Sequence, residues 1–262
     1  MIKFGFIGTG NMAGALIEAA SGSGGYEFLL SNRSPQKAEK YAKLTGGKVC
    51  GNKDVAAEAD YIWLGVKPQM IEGVMAEIAP ILQARKDRFV LVSMLACTTI
   101  DRIRELAGGK FPVIRIMPNT PVSIGQGIIL YSCSDQVAAE EKAEFLKSMT
   151  CAGMVTEIEE RLIDAGSGLT GCGPAYVFMF IEAMADGAVA CGIPRAMATE
   201  MAAKMVAGSA ELALATGKNP EELKNAVCSP GGTTIQGVRR LEEGAFRGTV
   251  MDAVIASFEK HI

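Results

Sequence analysis

An α/β sheet domain followed by an all-α domain is the fold class the sequence predicts, and three observations predict it. The first ~150 residues alternate short apolar runs with amphipathic helical stretches, the pattern of a parallel sheet with crossover helices. From about Glu159 the strand-like runs vanish, and alanine, methionine and glycine fill long helical windows. Pro174, Pro194 and Pro220 stand where those helices would begin, a position that tolerates the fixed φ and missing N–H of proline. The expected domains are 1–157 and 158–262.

In chain order, the apolar run 2–7 (IKFGFI) predicts a strand and 12–21 a helix. The runs at 26–31 (YEFLLS), 48–50, 61–66 (YIWLGV), 89–93 (FVLVS), 112–117 (PVIRIM), 125–131 and 153–156 supply the remaining strands. Between them, amphipathic stretches predict helices at 35–44, 69–78, 98–107 and 135–149. The second domain reads as helices at 173–191, 194–216, 220–228, 232–243 and 246–260, with Asn219-Pro220-Glu221-Glu222 and Ser229-Pro230 as helix entries.

The first strand runs straight into Gly8-Thr9-Gly10-Asn11-Met12-Ala13, then a helix. This is G-x-G-x-x-A between strand and helix, which predicts a Rossmann-type dinucleotide-binding domain. Gly8 permits the turn, Gly10 lacks the Cβ that would block a pyrophosphate, and Ala13 keeps helix close to strand. The free amides at the helix start, with the positive end of its dipole, face the phosphates.

About 20 residues on, an NAD-preferring site places an acid to bind the ribose 2′-hydroxyl. Here the second strand ends in Ser31-Asn32-Arg33-Ser34, with no acid. Arg33 suits paired, charge-assisted bonds to a 2′-phosphate, with Asn32 and Ser34 adding neutral ones. NADPH is therefore expected over NADH. Lys67-Pro68-Gln69 and Pro118-Asn119-Thr120-Pro121 follow two further strands, at the carboxyl ends that form the ligand crevice of an open α/β sheet.

Composition narrows the function classes. At 49% hydrophobic residues, 262 residues support a substantial core, and a net charge of −3 gives no reason to expect nucleic acid or an anionic membrane as partner. Seven scattered cysteines without C-x-x-C signal neither zinc nor a disulfide framework. The one histidine, His261, stands beside the C-terminus, which speaks against histidine-based catalysis or a metal cluster. No segment reads as a secretory signal or membrane span, so a cytoplasmic protein is expected.

The window 177–191 (VFMFIEAMADGAVAC) carries only Glu182 and Asp186 as charges. A helix apolar almost all round is buried on most sides. A compact single bundle is one solution; burial against a second copy is the one expected, giving an interlocked homodimer. Two small-residue segments also stand out, 166–176 and Ser229-Pro230-Gly231-Gly232-Thr233-Thr234. Glycines at the start of the helix that follows the second would expose amides for an anion such as a carboxylate, beside the Thr234 hydroxyl.

With GFIGTGNMAGAL, SNR, VKPQ, RIMPNTP, GPAY and NPEELKNAVCSPGGTTIQGVRRLE in place, the chain resembles the pyrroline-5-carboxylate reductases over nearly its whole length. The resemblance implies hydride transfer from NADPH, or less readily NADH, to the C=N carbon of Δ1-pyrroline-5-carboxylate, giving L-proline in the last step of proline biosynthesis. It implies that Gly8, Gly10, Asn11, Met12 and Ala13 hold the pyrophosphate. Asn32, Arg33 and Ser34 would meet the adenosine end and Asn52 the ribose region. Val66, Lys67, Pro68 and Gln69, with Met117, Pro118, Asn119 and Thr120, would flank the nicotinamide. Ser229, Gly231, Gly232 and Thr233 would hold the substrate carboxylate, and Thr234, the catalytic candidate, would sit beside the imine nitrogen. It further implies a homodimer whose substrate loop and nicotinamide face come from different subunits.

Two departures stand out: Ala96-Cys97 where the family has Ala-Gly, and Gly171-Cys172-Gly173 where it has Gly-Ser-Gly. Both put fine geometry rather than activity in question. The rival functions are a β-hydroxyacid dehydrogenase, which needs a lysine that Pro174 to Val177 do not supply, and a non-catalytic NADPH sensor, which would not need the turn at 229–234.

Overall fold

The computed structural model describes residues 1–260, so His261 lies outside the described residues. Two compact units form, Met1–Gly171 and Cys172–Lys260. The first holds eight strands: β1 (Ile2–Ile7), β2 (Tyr26–Ser31), β3 (Lys48–Val49), β4 (Tyr61–Leu64), β5 (Val90–Ser93), β6 (Val113–Pro118), β7 (Gly127–Cys133) and β8 (Gly153–Glu157). Their order in the sheet is β3-β2-β1-β4-β5-β6-β7-β8. Helices α1 (Asn11–Ser23), α2 (Pro35–Thr45), α3 (Asn52–Glu58), α4 (Ile71–Ala84), α5 (Ile100–Ala107), α6 (Ala139–Ser148) and α7 (Ile163–Thr170) accompany it.

Strand order reverses between β1 and β4, because the chain leaves β1 toward β2 and returns to pair β4 on the other side. That reversal opens a crevice at the carboxyl strand ends. Pleating sends alternate side chains to opposite faces. Phe4 and Phe6 enter one core with Tyr26, Phe28, Trp63 and Phe145, while Ile7 enters the other with Leu29, Ile62, Leu64, Met75 and Ile78. The Phe6 and Trp63 rings stack with centroids 5.1 Å apart.

The expectation of a parallel sheet needs one correction, since β7 runs antiparallel to β6. The connection 119–126 is too short for the crossover a parallel pair requires. Helix α4 continues past Pro80, which was expected to lie beyond its end. Pro80 and the preceding-turn carbonyl of Ala76 both belong to exposed residues, so water can take the place of the lost backbone bond. The continuation buries Leu82.

Helix α3 was not anticipated; the Asp54 carboxylate fixes its start by accepting from the Gly51 amide at 2.9 Å. Nor was α7, whose IDAGSGLT sequence has little helical preference. Packing compensates. A Cβ on Gly166 would stand 2.4 Å from Leu130 Cδ1, so glycine lets the helix lie directly on β7. Gly166 in that stretch therefore serves close packing on the sheet. An ion pair secures it: buried Arg115 on β6 bonds the Asp164 carboxylate at 2.7 Å and reaches Glu160 at 3.5 Å. Glu160 in turn accepts from the Ile100 amide at the start of α5 at 2.6 Å. With α7 held on the sheet this way, the first unit extends to Gly171, beyond the boundary expected at 157.

The second unit contains α8 (Gly173–Ala190), α9 (Arg195–Thr216), α10 (Pro220–Val227), α11 (Thr233–Glu243) and α12 (Phe246–Glu259). Pro174 and Pro220 stand in the first turns of α8 and α10, whereas Pro194 caps α9 from outside. Helices α8 and α9 pack through Ala185, Ala198 and Ala202, the only buried residues among those described in this unit. Phe178, Met179, Met201, Leu214 and Val250 remain exposed. Among the described residues no helix is long and apolar enough to cross a membrane.

Gly166→Val should destabilise the sheet unit by about 2–3 kcal/mol, because the added methyls meet Leu130. Thermal unfolding of the variant beside the parent measures the loss.

Candidate functional site

The crevice begins at the end of β1. Gly8 has φ +95°, outside the range L side chains adopt readily, and a Cβ there would stand 2.6 Å from the Gly65 carbonyl oxygen. Glycine therefore brings the turn after β1 against the end of β4. The Gly8 amide donates to the Ser31 carbonyl at 2.8 Å, and the Gly65 amide to that of Ile7 at 2.8 Å. Ala13 is buried on the inner side of α1. Gly10 caps α1, and its missing Cβ would meet nothing within 4 Å. Open space lies where a diphosphate needs it, before amides that have no intrahelical partner.

One cavity of about 850 Å³ spans this crevice. It brings together Gly8, Gly10, Asn32, Arg33, Ser34, Asn52, Val66 and Lys67 from the expected set, with Ser31 and Cys50 beside them. Burial, with Asp54 nearby, pushes the Cys50 thiol above its usual range, so this wall stays uncharged at neutral pH. The charged lining residues are Arg33, Lys37 and Lys67, all basic and exposed. Lys37, in the first turn of α2, escaped the sequence reading. Its signal is a lysine four residues beyond Arg33, at the start of the helix that the strand-end loop enters.

The structure refines several expected roles. The Asn32 side chain is engaged within the protein: Oδ1 accepts from the Thr9 amide at 3.0 Å, and Nδ2 donates to the Ser34 carbonyl at 3.0 Å. It braces the glycine turn against the end of β2. Asn52 accepts from the Ser31 hydroxyl at 2.6 Å and donates to Glu77 on α4 at 2.8 Å.

Asn11, Met12, Ala13, Pro68, Met117, Pro118, Asn119 and Thr120 do not line the cavity. Met117 is buried with Leu130 and Ile163. Asn119 is a clamp, since its Oδ1 accepts from the Ile128 amide at 2.8 Å and its Nδ2 donates to the Thr170 carbonyl at 3.0 Å.

The second unit holds the other candidate set. Gly231 has φ +71°, and the Gly232 amide closes a turn onto the Ser229 carbonyl at 3.0 Å. A Cβ on Gly232 would stand 2.4 Å from Ser229 Oγ. Helix α11 starts at Thr233 with no side chain capping it. Its first amides are thus available to an anion, and the exposed Thr234 hydroxyl makes no hydrogen bond within the described residues. Among those residues no group of histidine, cysteine or acidic side chains could hold a metal.

A doubly wound sheet with a glycine turn and a nucleotide-sized cavity at its switch point places the chain among the dinucleotide-dependent oxidoreductases. Residues 3–97 match the family model for NADP oxidoreductases, coenzyme F420-dependent, and residues 160–262 that for pyrroline-5-carboxylate reductase dimerisation. A pyrroline-5-carboxylate reductase of Escherichia coli (strain K12) is 41% identical, covering 98% of this chain and 96% of its own. One from Glycine max is 38% identical over 98% of this chain and 93% of its own. The crystal structure of Plasmodium falciparum pyrroline carboxylate reductase with NADP bound superposes with a TM-score of 0.88 at 30% identity, covering 99% of this chain and 97% of that one. The chain belongs to the pyrroline-5-carboxylate reductase family.

Gly10→Val should fold like the parent, since its side chain enters open space, yet lose NADPH affinity by about tenfold or more through collision with the diphosphate. Equilibrium NADPH binding, with unfolding temperature as control, measures both.

Proposed function

We propose that this protein reduces Δ1-pyrroline-5-carboxylate to L-proline with NADPH, and less readily with NADH, completing proline biosynthesis. When bound, NADPH supplies the hydride that the imine carbon receives. The feature that most supports this substrate is the turn at 229–234, where Gly231 and Gly232 clear the first amides of α11 for a small carboxylate.

The groups divide as follows. Gly8 and Gly10, with the amides of Asn11, Met12 and Ala13, receive the diphosphate. Arg33 and Ser34, joined by Lys37, receive the 2′-phosphate through charge-assisted bonds, while Asn32 holds the turn in place. Asn52 serves the ribose. Val66, Lys67 and Pro68, with the backbone of Met117, Pro118, Asn119 and Thr120, flank the nicotinamide. Ser229, Gly231, Gly232 and Thr233 hold the substrate carboxylate.

Little acid–base apparatus is needed. A cyclic imine takes a proton from water readily, and the iminium accepts hydride at carbon without further activation. Thr234 orients the iminium N–H and then the product amine. The remaining requirement is proximity: donor and acceptor carbons in van der Waals contact, shielded from bulk water.

Assembly follows from packing. Among its described residues the second unit buries only three alanines while Phe178, Met179, Met201 and Leu214 face outward. Such a surface is stable in water when another copy covers it, and the family model over 160–262 is one for dimerisation. A homodimer is the smallest assembly that does so. We place it in the cytoplasm, where scattered thiols persist.

Loss of NADPH absorbance on adding pyrroline-5-carboxylate tests the activity; coenzyme binding without turnover would instead indicate a sensor. Thr234→Ala should lower turnover by about 10- to 100-fold while NADPH binding persists. Retained turnover would leave the threonine only a place at the helix start. Arg33→Ala should raise the KM for NADPH by about tenfold and leave that for NADH nearly unchanged; equal effects on the two would refute the 2′-phosphate role.

A further inference from the structure

Three side chains from three separate elements form a chain of hydrogen bonds along one wall of the crevice. Ser31 ends β2, Asn52 begins α3, and Glu77 lies in the middle of α4. Ser31 Oγ is 2.6 Å from Asn52 Oδ1, and Asn52 Nδ2 is 2.8 Å from Glu77 Oε2. Ser31 and Asn52 line the cavity, whereas exposed Glu77 does not. Val74, one turn before Glu77 on α4, does line it, so the carboxylate comes from the face of α4 turned toward the crevice.

The chemistry of this chain has one direction. A primary amide can turn over and exchange its donor and acceptor ends at little intrinsic cost. A carboxylate only accepts, so Glu77 holds the Asn52 NH2 group on its own side. The amide oxygen is thereby aimed at Ser31, whose hydroxyl donates to it and leaves its oxygen lone pairs free to accept. The second N–H of Asn52 has no partner among the described residues. The wall so ordered offers a donor and an acceptor of defined position, which suits a sugar hydroxyl such as the free 3′-hydroxyl of the coenzyme ribose beside its 2′-phosphate.

We propose that Glu77 is a positioning residue for coenzyme binding, acting through Asn52 to hold the ribose-facing amide in one orientation. The proposal rests on the assignment of this cavity to NADPH. Glu77 touches neither coenzyme nor substrate, so its removal weakens the ground-state grip on NADPH without altering the chemical step.

The test is equilibrium NADPH binding, with steady-state kinetics and thermal unfolding, on Glu77→Ala, Glu77→Gln, Asn52→Ala and the Glu77→Ala/Asn52→Ala pair. Glu77→Ala should raise the dissociation constant by about fivefold, leaving turnover at saturating coenzyme and the unfolding temperature near parental values. Glu77→Gln, whose carbonyl can accept the same bond, should stay within about twofold of the parent. Asn52→Ala should weaken binding, and Glu77→Ala should then add nothing further, as a double-mutant cycle requires of residues acting in series. Unchanged affinity in Glu77→Ala, or an undiminished effect in the Asn52→Ala background, would overturn the proposal while leaving the coenzyme site standing. Unchanged affinity in Asn52→Ala would overturn the proposal together with the ribose assignment of this wall.

Discussion

The close approach of two backbones, at the ends of β1 and β4, is the constraint on which the crevice depends. Gly8 and Gly65 exclude a side chain from each other: a Cβ on Gly8 meets the Gly65 carbonyl, and one on Gly65 would stand 2.5 Å from the Gly8 carbonyl. Because the strands pair closely there, α1 can start against the sheet with Ala13 buried beneath it. Its unpaired amides then open onto the cavity instead of into a gap. A side chain at either glycine would push the turn outward, and the first amides of α1 with it.

Around that turn the protein spends its polar side chains on holding shape. Asn32 ties Thr9 to Ser34, Asn52 joins Ser31 to Glu77, and Asn119 clamps β7 to the end of α7. Each amide satisfies a donor and an acceptor together, which makes its orientation unique. The cationic groups are treated differently. Arg33 and Lys37 stay exposed on the cavity rim without an ion pair among the described residues, so charge is available to a ligand and little interaction within the protein is lost when one binds. A rigid neutral wall and an uncommitted basic rim are together what an anionic dinucleotide requires.

The helical unit obeys the opposite logic. Alanine contacts between α8 and α9 allow close packing but bury little surface in one chain, and long apolar side chains are left outside. Hydrophobic stabilisation scales with area removed from water, so the unit acquires much of its stability on association. The same unit carries the glycine turn before α11.

Much of the fold and the first half of the site could be read from local pattern. The strand–turn–helix at 2–21, the absent acid after β2 and the change of character near Glu159 each express a rule that acts over a few residues. Where the reading fell short, distant residues decide. Helix α7 forms from a glycine-rich stretch because Leu130 and Arg115 accept it, and β7 turns antiparallel because of the length of one loop. Asn32 and Asn119, candidates by address, are also tied into the protein by bonds to distant backbone groups. The sequence by itself determined the phosphate turn, the coenzyme class and the two-part architecture, since glycine spacing and hydrophobic period are local properties. Only the tertiary structure decided which polar side chains remain free for a ligand, because hydrogen bonds between residues far apart in the chain consume the others first.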